Sequence, residues 1–249
     1  MSVDRARLKT RAKVTIVQAK PNVITTSLLY ILLVTLVSML STRLMNMNAS
    51  MEQLELYMEY VQQGKVEYAL ELLGRMAPPP YAGLLSWVMD MMVGIVGLGF
   101  IIFLLNTIRG TGACFGNLLD GFGVIFKYIG LSIVSAFFIA LWSLLLIVPG
   151  IIASYRYRMA IYILADDHSL SIMECLRRSK AMMDGHKGEL LMMDLSFIGW
   201  NLAALVPFMG YFVQVWTVPY INMSYALYYE ALRTGDQYGG AQFGPGCAV

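Results

Sequence analysis

From Val23 to Ser41 the chain reads VITTSLLYILLVTLVSMLS, nineteen residues without a charge. A stretch of about 20 apolar residues, each rising about 1.5 Å along a helix, matches the hydrocarbon thickness of a bilayer. It is the first of several such stretches, and they leave little room for a soluble fold. Of 249 residues 58% are hydrophobic and 14% charged, against roughly 25% charged in ordinary soluble domains, so the chain reads as an integral membrane protein. The architecture expected is all-α, a polytopic membrane helix bundle. A net charge of +2 is too small to suggest nucleic acid as a partner.

Residues 1–22 carry Arg5, Arg7, Lys9, Arg11, Lys13 and Lys20 against one acid, Asp4, with Ala6, Leu8, Ala12, Val14 and Ile16 between them. This is a basic juxtamembrane helix on an anionic lipid face, or a solvated leader that only sets topology. Pro21 separates it from the first span, 23–41, which reads as a span rather than a signal peptide because no small-residue cleavage site follows. Residues 43–80 turn acidic, with Glu52, Glu55, Glu59, Glu67 and Glu71, while Leu54, Met58 and Val61 keep helical spacing. They predict a helical loop outside the membrane, broken near Gly64 and closed by Pro78 to Pro80, either a binding surface or a cap on the bundle. Further spans are expected at 81–108, 128–148, 151–165, 190–206 and 211–232, with a hairpin corner at Pro149 and Gly150. Residues 233–249, Gly-rich and without hydrophobic period, predict a disordered tail. Asp-Gly pairs at 120–121 and 184–185, each ahead of a helical hairpin, suggest a weak internal repeat or a chance recurrence of a common turn pair.

Basic residues orient the six transmembrane helices. With both termini inside (N-in/C-in), Arg5, Arg7, Lys9, Arg11, Lys13, Lys20, Arg109, Lys127, Arg177, Arg178, Lys180, Lys187 and Arg233 are cytoplasmic, and Arg43, Lys65 and Arg75 lie outside. That is the asymmetry the positive-inside rule requires. The same orientation puts Cys114, Cys175 and Cys247, which have no metal or redox spacing, on the reducing side.

Ionisable residues inside spans are the sharper signal, since a charge at the centre of the bilayer costs about 2.5 to 3.5 kcal/mol on insertion scales. Four stand out: Asp90, Arg156, Arg158 and Asp194. At about 1.5 Å per residue, Arg156 and Asp90 come to similar depth below the outer face, and Arg158 and Asp194 to similar height above the inner one. Positions 156 and 158 are about 200° apart on a helix, so two separate acidic partners fit. The pairs either brace the bundle or line a conduction path. Between the fourth and fifth spans, Ser171 followed by Glu174 fits a capping box, so an interfacial amphipathic helix is expected over 171–185, with Gly185 closing it. Arg177, Arg178, Lys180 and Lys187 would meet lipid headgroups or a partner. Asp166, Asp167, His168, Glu174 and His186 match no standard ligand spacing, so no metal or other cofactor is expected. No nucleophile and base motif is present, and no enzyme is expected.

PGIIASYRYRMAIYILADD (149–167), CLRRSKAMMDGHKGELLMMDLSFIGW (175–200) and VPYINMSYALYYEAL (218–232) together resemble the bacterial membrane proteins of domain of unknown function family 975. The similarity covers nearly the whole chain, including the RARLKTRAK leader. It implies a multipass protein of the bacterial plasma membrane with no assigned activity. Two functions are compatible with these readings. One is a non-enzymatic accessory, scaffold or lipid-interacting subunit whose partners are the bilayer, its anionic headgroups, and a membrane protein or a second copy of the chain. The alternative is a small-molecule or ion transporter, or transporter subunit, with a path along the intramembrane Asp and Arg residues. A continuous polar cavity would favour transport, and a filled interior with lateral grooves the first.

Overall fold

The computed structural model describes residues 4–19, 21–45, 51–76, 80–203 and 209–235, and every described residue in regular secondary structure is helical. In order the helices are α1 (Arg5–Gln18), α2 (Val23–Met45), α3 (Met51–Gln62), α4 (Val66–Met76), α5 (Pro80–Arg109) and the single turn α6 (Asn117–Asp120). A 3₁₀ turn, Gly121–Val124, leads into α7 (Ile125–Leu145), α8 (Ile147–Tyr157), α9 (Ala160–Asp166), α10 (Ile172–Met182), α11 (Lys187–Leu195), α12 (Ile198–Ala203) and α13 (Met209–Thr234). Lys20, Pro78 and Pro79, Pro207, the tail beyond 235 and Cys247 lie outside the described residues. The chain packs as two units, one of residues 32–94 and one of residues up to 31 together with those from 95 onward.

Three helical segments are long and apolar enough to cross a membrane: Val23–Arg43, Pro80–Arg109 and Asn117–Leu145. The third is the most telling, because only 6% of its most apolar stretch is buried by the rest of the protein. Phe126, Phe137 and Leu144 stand 87%, 63% and 87% exposed along it, a surface that water would not tolerate and lipid tails would cover.

The larger unit is built on α5, α9, α10 and α13. Phe100, Phe103 and Leu104 of α5, Tyr162 and Leu164 of α9, Cys175 and Met183 on or just after α10, and Met223, Leu227 and Tyr228 of α13 form one buried cluster. Tyr30 of α2 stacks on Phe100, with ring centroids 4.7 Å apart. Gly99 allows the turn at residues 117–121 to close on α5, since a Cβ there would collide with the carbonyl of Leu118; Gly121 meets the Ile95 carbonyl in the same way.

The leader is a helix, capped by the Asp4 side chain, which accepts from the backbone N–H of Ala6 and Arg7. Leu8, Ala12 and Ile16, one turn apart, are buried, and α1 packs on α13, so the apolar stripe expected to face the membrane faces protein instead.

The hairpin corner is Leu146, not Pro149 and Gly150. Leu146 is extended (φ −162°, ψ 152°) between α7 and α8, and Pro149 is the third residue of α8. A proline costs nothing there, because first-turn N–H groups have no intrahelical acceptor. Gly150 lets α8 lie against Ser143 of α7. Two expected spans are interrupted. Residues 151–165 divide into α8 and α9 around Arg158 and Met159, and residues 190–206 divide into α11 and α12 around Ser196 and Phe197. Between them α10 starts where the Ser171 hydroxyl accepts from the N–H of Glu174, and Gly185, at φ +80°, ends the turn that follows.

In the smaller unit α3 packs on α4, with the rings of Tyr60 and Tyr68 5.9 Å apart. Ala69 is buried, while Leu54, Leu70 and Leu73 remain exposed.

Candidate functional site

Arg158 caps the C-terminal end of α8, at the break before α9. Its guanidinium donates to Asp194 of α11 at 3.1 Å and lies over the ring of Tyr225 of α13, 4.8 Å from the centroid. Asp194 is the hub. The Tyr155 hydroxyl donates to one of its oxygens at 2.8 Å and the Tyr225 hydroxyl to the other. Three helices therefore converge on one carboxylate. Around it opens a cavity of about 480 Å³, walled by Leu191, Leu195, Phe197, Ile198 and Ile221 and carrying Arg158, Asp194 and the two tyrosines at one side. Arg158 is 39% exposed and Asp194 22%, so the pair lies on the open side of an apolar groove rather than in a closed core.

The other two ionisable candidates fall in different units. Asp90 belongs to the smaller unit and Arg156 to the larger. The carbonyl of Arg156 accepts from Ser179 of α10 at 2.8 Å, which sets Arg156 beside the interfacial helix, and its buried Nε has no hydrogen-bond partner among the described residues. Of the expected headgroup contacts, Arg177 and Arg178 are both held by Glu174 at 2.8 Å, Lys187 reaches Asp184 at 3.3 Å, and Lys180 is exposed. The two arginines hold the Glu174 carboxyl down at about 2. Asp166, Glu174, His186 and His168 go separate ways: Asp166 to Arg109, Glu174 to Arg177 and Arg178, His186 to Glu189 at 3.1 Å, and the His168 carbonyl to Lys127 at 2.6 Å.

A cluster that sequence reasoning missed ties the ends of α5, α9 and α13. Arg109 donates to Asp166 at 2.5 Å and to Glu230 at 2.7 and 3.1 Å, while Arg233 meets Asp166 and Glu230, each at 3.0 Å. The Tyr229 hydroxyl completes the set, donating to Asp166 at 2.9 Å. Burial opposes ionisation of Asp166, but the hydrogen bonds from Arg109 and Tyr229 outweigh it and its pKa falls below the ordinary 3.8. Glu230 was visible as an acid inside an expected span, in YYEAL, and that was the signal. The cluster has two positive and two negative members and is nearly saturated, so it is a clamp rather than a binding site.

A second cavity, about 660 Å³, opens on a neighbouring face of α11, between α11 and the start of α1. Asp4, Arg5, Lys9, Glu189 and Ser196 bring polar groups to it. The leader that packs on α13 thus also brings two of its cations against α11.

Compared with known families, residues 4–236 match the family model described as "Protein of unknown function (DUF975)". No curated protein and no solved structure matches the chain.

Proposed function

The chain belongs to the DUF975 family of proteins of unknown function, and we propose that it is a non-enzymatic, lipid-interacting protein of the bacterial plasma membrane, acting as an accessory or scaffold subunit. In this reading both termini are cytoplasmic and six segments cross: α2, α5, α7, the broken pairs α8–α9 and α11–α12, and α13. The three long apolar helices and the bias of basic residues support it.

The observation that carries the reading is the groove at Arg158. It has apolar walls, one cation and two tyrosine rings, which is the pattern of a lipid seat: hydrocarbon along the walls, headgroup at the polar groups. The interior behind it is filled by Phe103, Leu104, Met223 and Tyr228. A solute path would need polar groups there.

The test is purification in native-lipid particles, with bound lipids counted by mass spectrometry for the wild-type chain and for Arg158→Gln. Lipid retained by the wild type and lost on substitution supports the groove. Equal lipid content in both, together with Arg158-dependent flux of a charged solute in reconstituted vesicles, would replace this reading with a transporter.

A further inference from the structure

The cavity between α1 and α11 and the Arg158 groove are lined by different residues of α11, on neighbouring faces of that helix. Gly188, Met192 and Ser196 line the first, and Leu191, Asp194 and Leu195 the second. Its charges do not balance locally. Asp4 is committed to capping α1 and to Arg7, at 3.2 Å. Glu189 is committed to His186, at 3.1 Å, and to the Tyr228 hydroxyl, at 3.3 Å. Among the described residues no carboxylate lies within ion-pair distance of Arg5 or Lys9.

These two cations are one turn apart, and Lys13 continues the row another turn on. Two of the three are held in place by neighbours. The Lys9 ammonium donates to the Ser196 hydroxyl and lies 4.5 Å over the Phe197 ring, and that of Lys13 lies 5.6 Å over Tyr220. Like charges at this spacing repel. Burial, Arg5 and Lys13 together lower the pKa of Lys9, which is the electrostatic sign of a positive row lacking its counterion. A planar guanidinium fork and an ammonium at one space supply donors for the several oxygens of a phosphate better than for a lone carboxylate, and the Ser196 hydroxyl, whose own proton goes to the Met193 carbonyl, holds the Lys9 ammonium in place by accepting from it.

We propose that Arg5 and Lys9, the latter held by Ser196, form a site for a phosphate group, carried either by a phospholipid headgroup or by a soluble phosphate ester. Met192, 49% exposed beside it, offers an apolar edge along which an acyl chain would run if the source is a lipid. The proposal does not rest on the Arg158 groove, and the two are tested by different substitutions.

The full chain in detergent is titrated with phosphatidylglycerol and with diacylglycerol of the same acyl length, and bound lipid is counted by native mass spectrometry. Phosphatidylglycerol is expected to bind at least tenfold more tightly than diacylglycerol. Arg5→Gln and Lys9→Gln should each weaken it about tenfold, the value of a charge-assisted hydrogen bond. Arg7→Gln, which removes the same charge from an exposed position of the same helix, should leave it unchanged. Displacement by millimolar inorganic phosphate supports the site and assigns it to a soluble phosphate; retention assigns it to lipid. Should Arg5→Gln not fold, Lys9→Arg, which keeps the charge, is expected to bind like the wild type where Lys9→Gln does not. Equal losses in Arg5→Gln and Arg7→Gln, or no preference for phosphatidylglycerol together with no phosphate binding, would overturn the proposal.

Discussion

Replacing Asp194 separates two accounts of what Arg158 is doing. As a simple ion pair, with Arg158 39% exposed, the contact is worth only about 1 kcal/mol after solvent screening. Asp194, however, is also the acceptor for the hydroxyls of Tyr155 and Tyr225. Asp194→Leu strands both hydroxyls and the guanidinium, and at roughly 1 to 2 kcal/mol for each lost partner the total comes to about 3 to 6 kcal/mol. Asp194→Asn keeps one oxygen as acceptor and should cost about 1 to 2 kcal/mol, while Tyr155→Phe, Tyr225→Phe and Arg158→Met should each cost about 1 kcal/mol. The assay is reversible unfolding of the purified chain in mixed micelles by titration with sodium dodecyl sulfate, with helicity as the signal. The charge swap Arg158→Asp with Asp194→Arg is the sharpest variant. It restores attraction between the two positions, yet a guanidinium cannot accept from either tyrosine, so stability should return only partly. Full recovery in the swap, or Arg158→Met costing as much as Asp194→Leu, would refute the carboxylate as hub and leave an ordinary ion pair.

The clamp of Arg109, Asp166, Glu230 and Arg233 has a pH signature. Because the folded pKa of Asp166 is depressed, its contribution is complete above about pH 4 and is lost as pH falls through the folded value, so the acid limb of stability should flatten in Asp166→Asn. Glu230→Gln, which leaves two arginines sharing one carboxylate, should cost about 2 to 4 kcal/mol by the same unfolding assay. Gly99→Ala should cost about 2 kcal/mol or more because the new Cβ meets backbone at Leu118, whereas Gly123→Ala, with open space around it, should lie within about 0.5 kcal/mol of wild type. In a Cys247→Ser background a membrane-impermeant maleimide should label exposed Cys114 only from the cytoplasmic side and a Glu67→Cys substitution only from outside, while buried Cys175 stays unlabelled in the folded chain; labelling of Cys114 from outside would reverse the proposed orientation.

What could be read from the sequence was local chemistry. Ser171 with Glu174, and Gly185 beyond them, bracket α10 because caps and left-handed glycines act within a turn. The long apolar runs of α2, α5 and α7 announce themselves by length alone. Pro149 misled about the corner because a proline in a first turn looks, in sequence, like a proline in a loop. The burial of α1 was hidden because its stripe of Leu8, Ala12 and Ile16 suits protein and lipid equally, and only α13, more than 190 residues away, decides between them. The clamp failed for a similar reason. Arg109, Asp166 and Glu230 are each unremarkable at a helix end, and their meaning lies in convergence across the fold.

The two helix breaks make one point together. In the proposed six-span topology both breaks would fall at membrane depth, where an interrupted helix is tolerated if protein surrounds it or if it lines a cavity. In α8–α9 the break is at Arg158, on the groove. In α11–α12 it is at Ser196 and Phe197, of which the first faces the α1 cavity and the second the groove. Neither break has a proline or a glycine at it, and Arg158 and Ser196 keep right-handed helical backbone angles, so each break is a local turn whose residues gain side-chain partners. Arg158 gains Asp194 and the Tyr225 ring, and Ser196 gains the Lys9 ammonium. Replacing Ser196 with Ala removes a hydroxyl that also donates to the Met193 carbonyl, so its effect should fall on phosphate binding and on the α11 end together, whereas Lys9→Gln should affect binding and leave the helix end intact. Amide exchange at residues 196–198 resolves the two: faster exchange in Ser196→Ala alone places the break under the control of the serine, and faster exchange in both makes the cation itself the element that holds α11 open.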